Sequence, residues 1–143
     1  MKIWDAATGN TLLTYNGNSP VAWSPNGNLI VSGNDVGGLA VWYAVDRKLA
    51  YTYRDITSVQ AGYVNAVAWS SDGARIASAH GSYDQTGNDV QVWDAATGNT
   101  LITYHGQLGG VDTVAWSPHG KLIASGGYGG DGDRDTVKVW QGE

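Results

Sequence analysis

The side chains best suited to chemistry in this 143-residue chain are its aspartates, and the densest run of them is Asp131-Gly132-Asp133-Arg134-Asp135. Alternating carboxylates of this kind can wrap a calcium ion, but the loop that does so needs a glycine at its sixth position and a glutamate at its twelfth. Here the sixth residue is Thr136, and the sole glutamate, Glu143, falls one place late. Calcium chelation is not expected. No Gly-x-Ser-x-Gly elbow, no Gly-rich phosphate loop after a strand and no His-rich metal pattern is present. The absence of cysteine removes disulfides, thiolate metal ligands and thiol nucleophiles together. Neither an enzyme nor a cofactor is expected.

The tryptophans recur in a pattern. Val-Ala-Trp-Ser places tryptophans at Trp23, Trp69 and Trp116, spaced by 46 and 47 residues. A second class, an apolar residue followed by tryptophan, ends at Trp4, Trp42, Trp93 and Trp140. All 7 tryptophans fall into these two classes, so none is reserved for a unique site. The segment Trp4-Asp5-Ala6-Ala7-Thr8-Gly9-Asn10-Thr11-Leu12 also returns almost unchanged as Trp93-Asp94-Ala95-Ala96-Thr97-Gly98-Asn99-Thr100-Leu101. Self-similarity at a fixed period signals a repeat architecture.

Between the markers run short apolar segments rich in β-branched and aromatic residues, bounded by Gly, Asn, Asp or Pro. That is the pattern of strands. Four strands per repeat are expected. Asn26-Gly27, Asp72-Gly73 and His119-Gly120 separate the first two strands of each repeat, where a two-residue type I′ hairpin is expected because it needs positive φ at both central positions. His119 reads as a solvated turn residue.

Period, strand count and motifs together resemble the WD-repeat family of β-propellers over essentially the whole chain. The Trp-Asp that ends each repeat of that family stands at Trp4-Asp5 and Trp93-Asp94, and is replaced by Trp42-Tyr43 and Trp140-Gln141. The near identity of two copies resembles a recent amplification. The resemblance implies an all-β propeller of four-stranded antiparallel blades, three per chain, with repeats at about 17–54, 63–104 and 111–140. It also implies a buried relay in which a strand serine meets the repeat tryptophan, here Ser32 with Trp42, Ser78 with Trp93 and Ser125 with Trp140. The histidine of that relay, usually found after a glycine before the innermost strand, is replaced by Asn18 or Gln107, so a partial relay is expected.

With the strands of a blade lettered a to d from the axis outward, the last repeat has no strand d, whereas one stands unclaimed at Leu12 to Tyr15. Propellers have about 4 to 8 blades, too many for one copy to supply. Residues 2–16 are therefore expected to be donated to a neighbouring copy, closing a ring by homo-oligomerisation. Three bulky indoles near the axis favour a nine-blade homotrimer; a six-blade homodimer or a fragment of a longer propeller are the alternatives. The residues expected at this closure are Leu12, Leu13, Tyr15, Val137, Val139 and Trp140. Because closure needs only one of the two strand c copies, Lys2–Trp4 and Val137–Trp140, the first is expected to be displaced.

The loops joining b to c and d to a share one face, where the resemblance implies peptide or protein binding. From strand b serine to strand c tryptophan there are 10 positions in the first repeat and 15 in the other two. The longer stretches, residues 81–89 and 127–135, mix Tyr with Gly, Ser and Asp, as adaptable recognition loops do. Candidate ligand-face residues are Arg54, Gln60, Tyr83, Asp84, Asp89, Tyr128, Asp133 and Arg134. A lectin-like module that stacks sugars on exposed tyrosines is a competing reading. The net charge of −5 comes from 13 acidic and 8 basic residues scattered along the chain, which argues against nucleic acid as a partner. No apolar run approaches the length of a membrane helix, and no leader segment opens the chain. No membrane association is expected, and the cytoplasm is the expected location.

Overall fold

The computed structural model describes residues 1–17, 19–34, 37–53, 63–81, 88–105, 109–128 and 136–141. The first two strands, β1 (Lys2–Trp4) and β2 (Thr11–Thr14), form a ladder of their own. Strands β3 (Val21–Trp23), β4 (Leu29–Gly33), β5 (Leu39–Tyr43) and β6 (Leu49–Tyr53) make a four-stranded antiparallel sheet in chain order. A second such sheet contains β7 (Tyr63–Trp69), β8 (Arg75–Gly81), β9 (Asp89–Asp94) and β10 (Thr100–His105). The last sheet has three strands, β11 (Val111–Trp116), β12 (Leu122–Gly127) and β13 (Thr136–Gln141). The described residues thus hold the outer half of one blade, two four-stranded blades, and three strands of another. No helix among the described residues is long and apolar enough to cross a membrane.

The meander arises because each strand alternates faces while the a–b and c–d turns are short. The turn chemistry departs from the type I′ expectation. Positive φ occurs at Gly27, Gly73 and Gly120 but not at the residues before them. Each connection is instead a four-residue loop. Ser24 N–H donates to the Leu29 carbonyl at 2.9 Å and Gly27 N–H to the Ser24 carbonyl at 2.9 Å, and Ser70 and Ser117 repeat the arrangement. The Asn26 and Asp72 side chains stay in ordinary backbone conformations because their Oδ1 atoms accept the N–H groups of Asn28 at 3.0 Å and Ala74 at 2.9 Å. Such a side-chain cap replaces the second positive φ.

The c–d turn of the near-identical segments is capped by its aspartate. Asp94 Oδ1 accepts Ala96 N–H, Thr97 N–H and the Thr97 hydroxyl, and Asp5 accepts Ala7, Thr8 and the Thr8 hydroxyl in the same way. The Thr97 and Thr8 bonds hold both carboxyls below the ordinary carboxylate range. In the blade where Trp42-Tyr43 stands in place of Trp-Asp, Arg47 takes the left-handed conformation at φ 64°.

The core lies between sheets. Val31, Leu39 and Val41 of the first complete blade pack against Val64, Val67 and Ile76 of the next. Val90 and Val92 then pack against Val111, Val114 and Ile123 of the last. A third cluster joins Ile3, Leu13 and Tyr15 to Ile30, Trp42 and Ala44. The first two joints are alike, each placing strands b and c of one blade on strands a and b of the following one, while the third sets the β1–β2 ladder against β4 and the end of β5.

Strand β1 departs from expectation. It is not displaced but pairs with β2 through Lys2↔Thr14, Ile3↔Leu13 and Trp4↔Thr11. That register reproduces Val92↔Ile102 and Trp93↔Thr100 of the β9–β10 ladder. The physical reason is local: a short turn delivers β1 to the free edge of β2.

Candidate functional site

Inside each sheet, the strand c indole is tied to strand b. Trp42, Trp93 and Trp140 donate Nε1–H to the hydroxyls of Ser32, Ser78 and Ser125 at 3.0, 2.7 and 3.0 Å. The expected serine–tryptophan partners are thus all joined. The middle blade extends the chain of bonds, since Ser78 Oγ lies 2.8 Å from His80 Nε2, both side chains buried. Sequence reasoning looked for this histidine in the loop before strand a and missed it on strand b. Its signal was period two: residues 78 and 80 share one face of β8. Buried in this way, the Ser–His pair is closed to substrate and works as a structural relay. Asn18 and Gln107 lie outside the described residues.

Between sheets, a tyrosine at or near the end of strand d reaches onto the next blade. Tyr15 donates to the Ala44 carbonyl at 2.8 Å, and Tyr53 donates to the Ala95 carbonyl. Their rings lie 6.0 Å from Trp42 and 6.4 Å from Trp93, and Tyr104 stacks on Trp140 at 4.7 Å. Burial, with Tyr51 and Asp94 nearby, pushes the Tyr53 hydroxyl up to about 12, which keeps it protonated as a donor. Burial also raises Tyr15 and Tyr104. Gly98 at φ 72° leaves room for Tyr53, because a Cβ there would overlap the ring. Tyr15, expected at a junction between copies, is accordingly held against the neighbouring blade of its own chain. Among the inner strands, Trp116 bridges to the preceding blade by donating to the Ala68 carbonyl at 3.1 Å.

The two ends of the series present faces that are covered at every internal joint. Val90 and Val92 of β9 are 2% and 0% exposed, whereas their equivalents in β13, Val137 and Val139, are 75% and 63% exposed. At the opposite end, Val21 and Trp23 of β3 are each 51% exposed. A groove of about 230 Å³ runs there between β1 and β3, lined by Lys2, Ile3, Trp4, Val21, Trp23 and Ile30 among others. Leu12 is exposed on β2 while Leu13 packs inward. Among the described residues, β13 has a ladder partner on its β12 side alone.

Of the expected loop-face residues, the structure describes two. Asp89, at the start of β9, accepts from or pairs with His105 Nδ1 of β10 at 2.7 Å, and Tyr128 is exposed just after β12. Arg54, Gln60, Tyr83, Asp84, Asp133 and Arg134 lie outside the described residues. Among those described, no three His, Cys, Asp or Glu side chains are grouped to hold a metal.

Comparison with known families agrees with this geometry. Residues 9–39 match the family described as "WD domain, G-beta repeat". Residues 48–141, about two thirds of the chain, match the family described as "Eukaryotic translation initiation factor eIF2A". The chain belongs to the family so described, and its repeats are WD repeats. No curated protein matches it. The WD-repeat assignment accounts for the all-β sheets in blade order and for the serine–tryptophan bond in each. Domains of this class serve in general as scaffolds for protein–protein interaction.

Proposed function

We propose that this WD-repeat chain is a non-catalytic scaffold that associates head to tail with copies of itself into a closed propeller and binds a protein or peptide on its loop face. The observation that carries the reading is the contrast between Val137 and Val139, bare on β13, and the fully covered Val90 and Val92 one repeat earlier. Exposed at one end are strand c valines; exposed at the other are the strand a residues Val21 and Trp23. Those are the two halves of the internal joint. Apolar faces of this kind are stabilised by burial, and a contact between unlike faces closes into a ring when the rotation divides the circle. A homotrimer of nine blades is the preferred closure, a homodimer of six the second.

In this reading the longer b–c stretches, residues 81–89 and 127–135, supply the ligand face; Tyr128 is exposed and Asp89 is held by His105. The acidic net charge and scattered basic residues make a peptide or protein surface a better fit there than RNA, whatever the translation-factor description of the matched family.

Sedimentation over a range of concentrations tests the assembly. The expected result is a species of three times 15.1 kDa that dissociates on dilution. A species of twice that mass replaces nine blades by six. A chain that stays monomeric at every concentration overturns the closure reading. Peptide capture that survives removal of residues 81–89 and 127–135 overturns the loop-face assignment.

A further inference from the structure

The chain carries strand c twice at its open ends, and the two copies correspond residue for residue: Met1-Lys2-Ile3-Trp4 and Val137-Lys138-Val139-Trp140. The structure shows what each copy touches. In β1, Met1 and Ile3 pack against the cluster of Tyr15, Ile30 and Ala44, and Ile3 faces Leu13 across the ladder. In β13 the equivalent residues, Val137 and Val139, touch water.

We propose that β1 is a placeholder: it occupies, within its own chain, the seat on β2 and against Ile30 that β13 of a second copy fills on assembly, so that association proceeds by strand exchange. This rests on the head-to-tail closure proposed above and adds a gate to it.

The direction of exchange follows from how firmly each copy is held. Strand β13 pairs with β12 over six residue positions, from Thr136 to Gln141. Its Trp140 is bonded to Ser125 and stacked on Tyr104. Strand β1 pairs over three positions. Its Trp4 is 55% exposed with Lys2 lying over the ring at 5.5 Å, and the sheet it belongs to contains no strand b serine. The exchange also gains contacts that β1 does not make. Arriving with β13 are β11 and β12, which take the positions of strands a and b in the incomplete first blade. They cover Val21 and Trp23 and fill the groove beside β3. In the exchanged state, Lys138, Val139 and Trp140 face Thr14, Leu13 and Thr11, the register that β1 now uses.

The cysteine-free sequence allows a direct test. Ile3→Cys combined with Leu13→Cys places two thiols on register partners, and oxidation locks β1 in its seat. Comparing one variant in its two states removes the effect of the substitutions themselves: the oxidised form is expected to need a concentration more than about tenfold higher than the reduced form to associate. A second pair, Leu13→Cys with Val139→Cys, is expected to give disulfide-linked multimers on oxidation, whereas either cysteine alone gives no ladder of closed multimers. Equal association of the oxidised and reduced first variant, with the natural chain still assembling, sinks the placeholder and leaves closure standing. Absence of covalent multimers from the second pair in an assembling chain sinks it as well. If the natural chain does not associate at all, the closure reading itself has failed, and the two failures are thus told apart.

Discussion

At the scale of single residues, the serine–tryptophan bond was legible in the sequence because both partners recur at fixed places in the repeat. Its surroundings were not, and they set its worth. Trp93 is fully buried, so removing its acceptor strands a polar N–H away from water, whereas Trp42 is half-buried and solvent can substitute. Ser78→Ala is therefore expected to cost about 1–3 kcal/mol, and Ser32→Ala distinctly less, as read from urea midpoints. The role of His80 escaped sequence reasoning because the family habit points to a loop. Only the side-chain direction along β8 brings the ring to Ser78. The six ligand-face residues outside the described set stay proposals, while Asp89 is tied to a neighbouring strand by His105 and Tyr128 is open to a ligand.

At the scale of elements, the thirteen strands among the described residues follow the apolar runs because each run is short, alternates between faces and ends at a turn former. The first turn of each repeat was misread for an instructive reason. Asn-Gly and Asp-Gly suit a type I′ turn, but a serine two residues before Asn26 or Asp72 offers its hydroxyl and carbonyl to close a wider loop. The competing side-chain bonds decide. The c–d turns show their worth through pH. Folding lowers the pKa of Asp94 through its Thr97 bonds, so the stabilisation is fully present above the ordinary value of 3.8 and lost as pH falls through the depressed native value. Asp5 follows the same sign. Asp94→Asn is expected to lower stability at neutral pH and to flatten the loss between about pH 5 and about pH 2, as thermal midpoints across that window will show.

At the scale of the whole molecule, the strand order counted in the sequence returns, among the described residues, as sheets of two, four, four and three strands. Which duplicate strand occupies β2 was not legible, because β1 and β13 are nearly the same sequence and only connectivity favours the nearer one. A closed assembly has a thermodynamic signature: its melting temperature rises with protein concentration. Val139→Asp is expected to abolish that rise, since it sets a charge on the face to be buried, while leaving the melting of a dilute chain within about 0.5 kcal/mol of the parent, the usual effect of a surface change. A concentration-dependent melt that survives the substitution would place the contact elsewhere.

The tyrosine plugs have a further consequence. Tyr15 and Tyr53 each carry the phenol that closes a seam, and Ala44 and Ala95 the carbonyl that receives it. A unit copied whole brings both parts with it, so a duplicated repeat arrives already fitted to its neighbour.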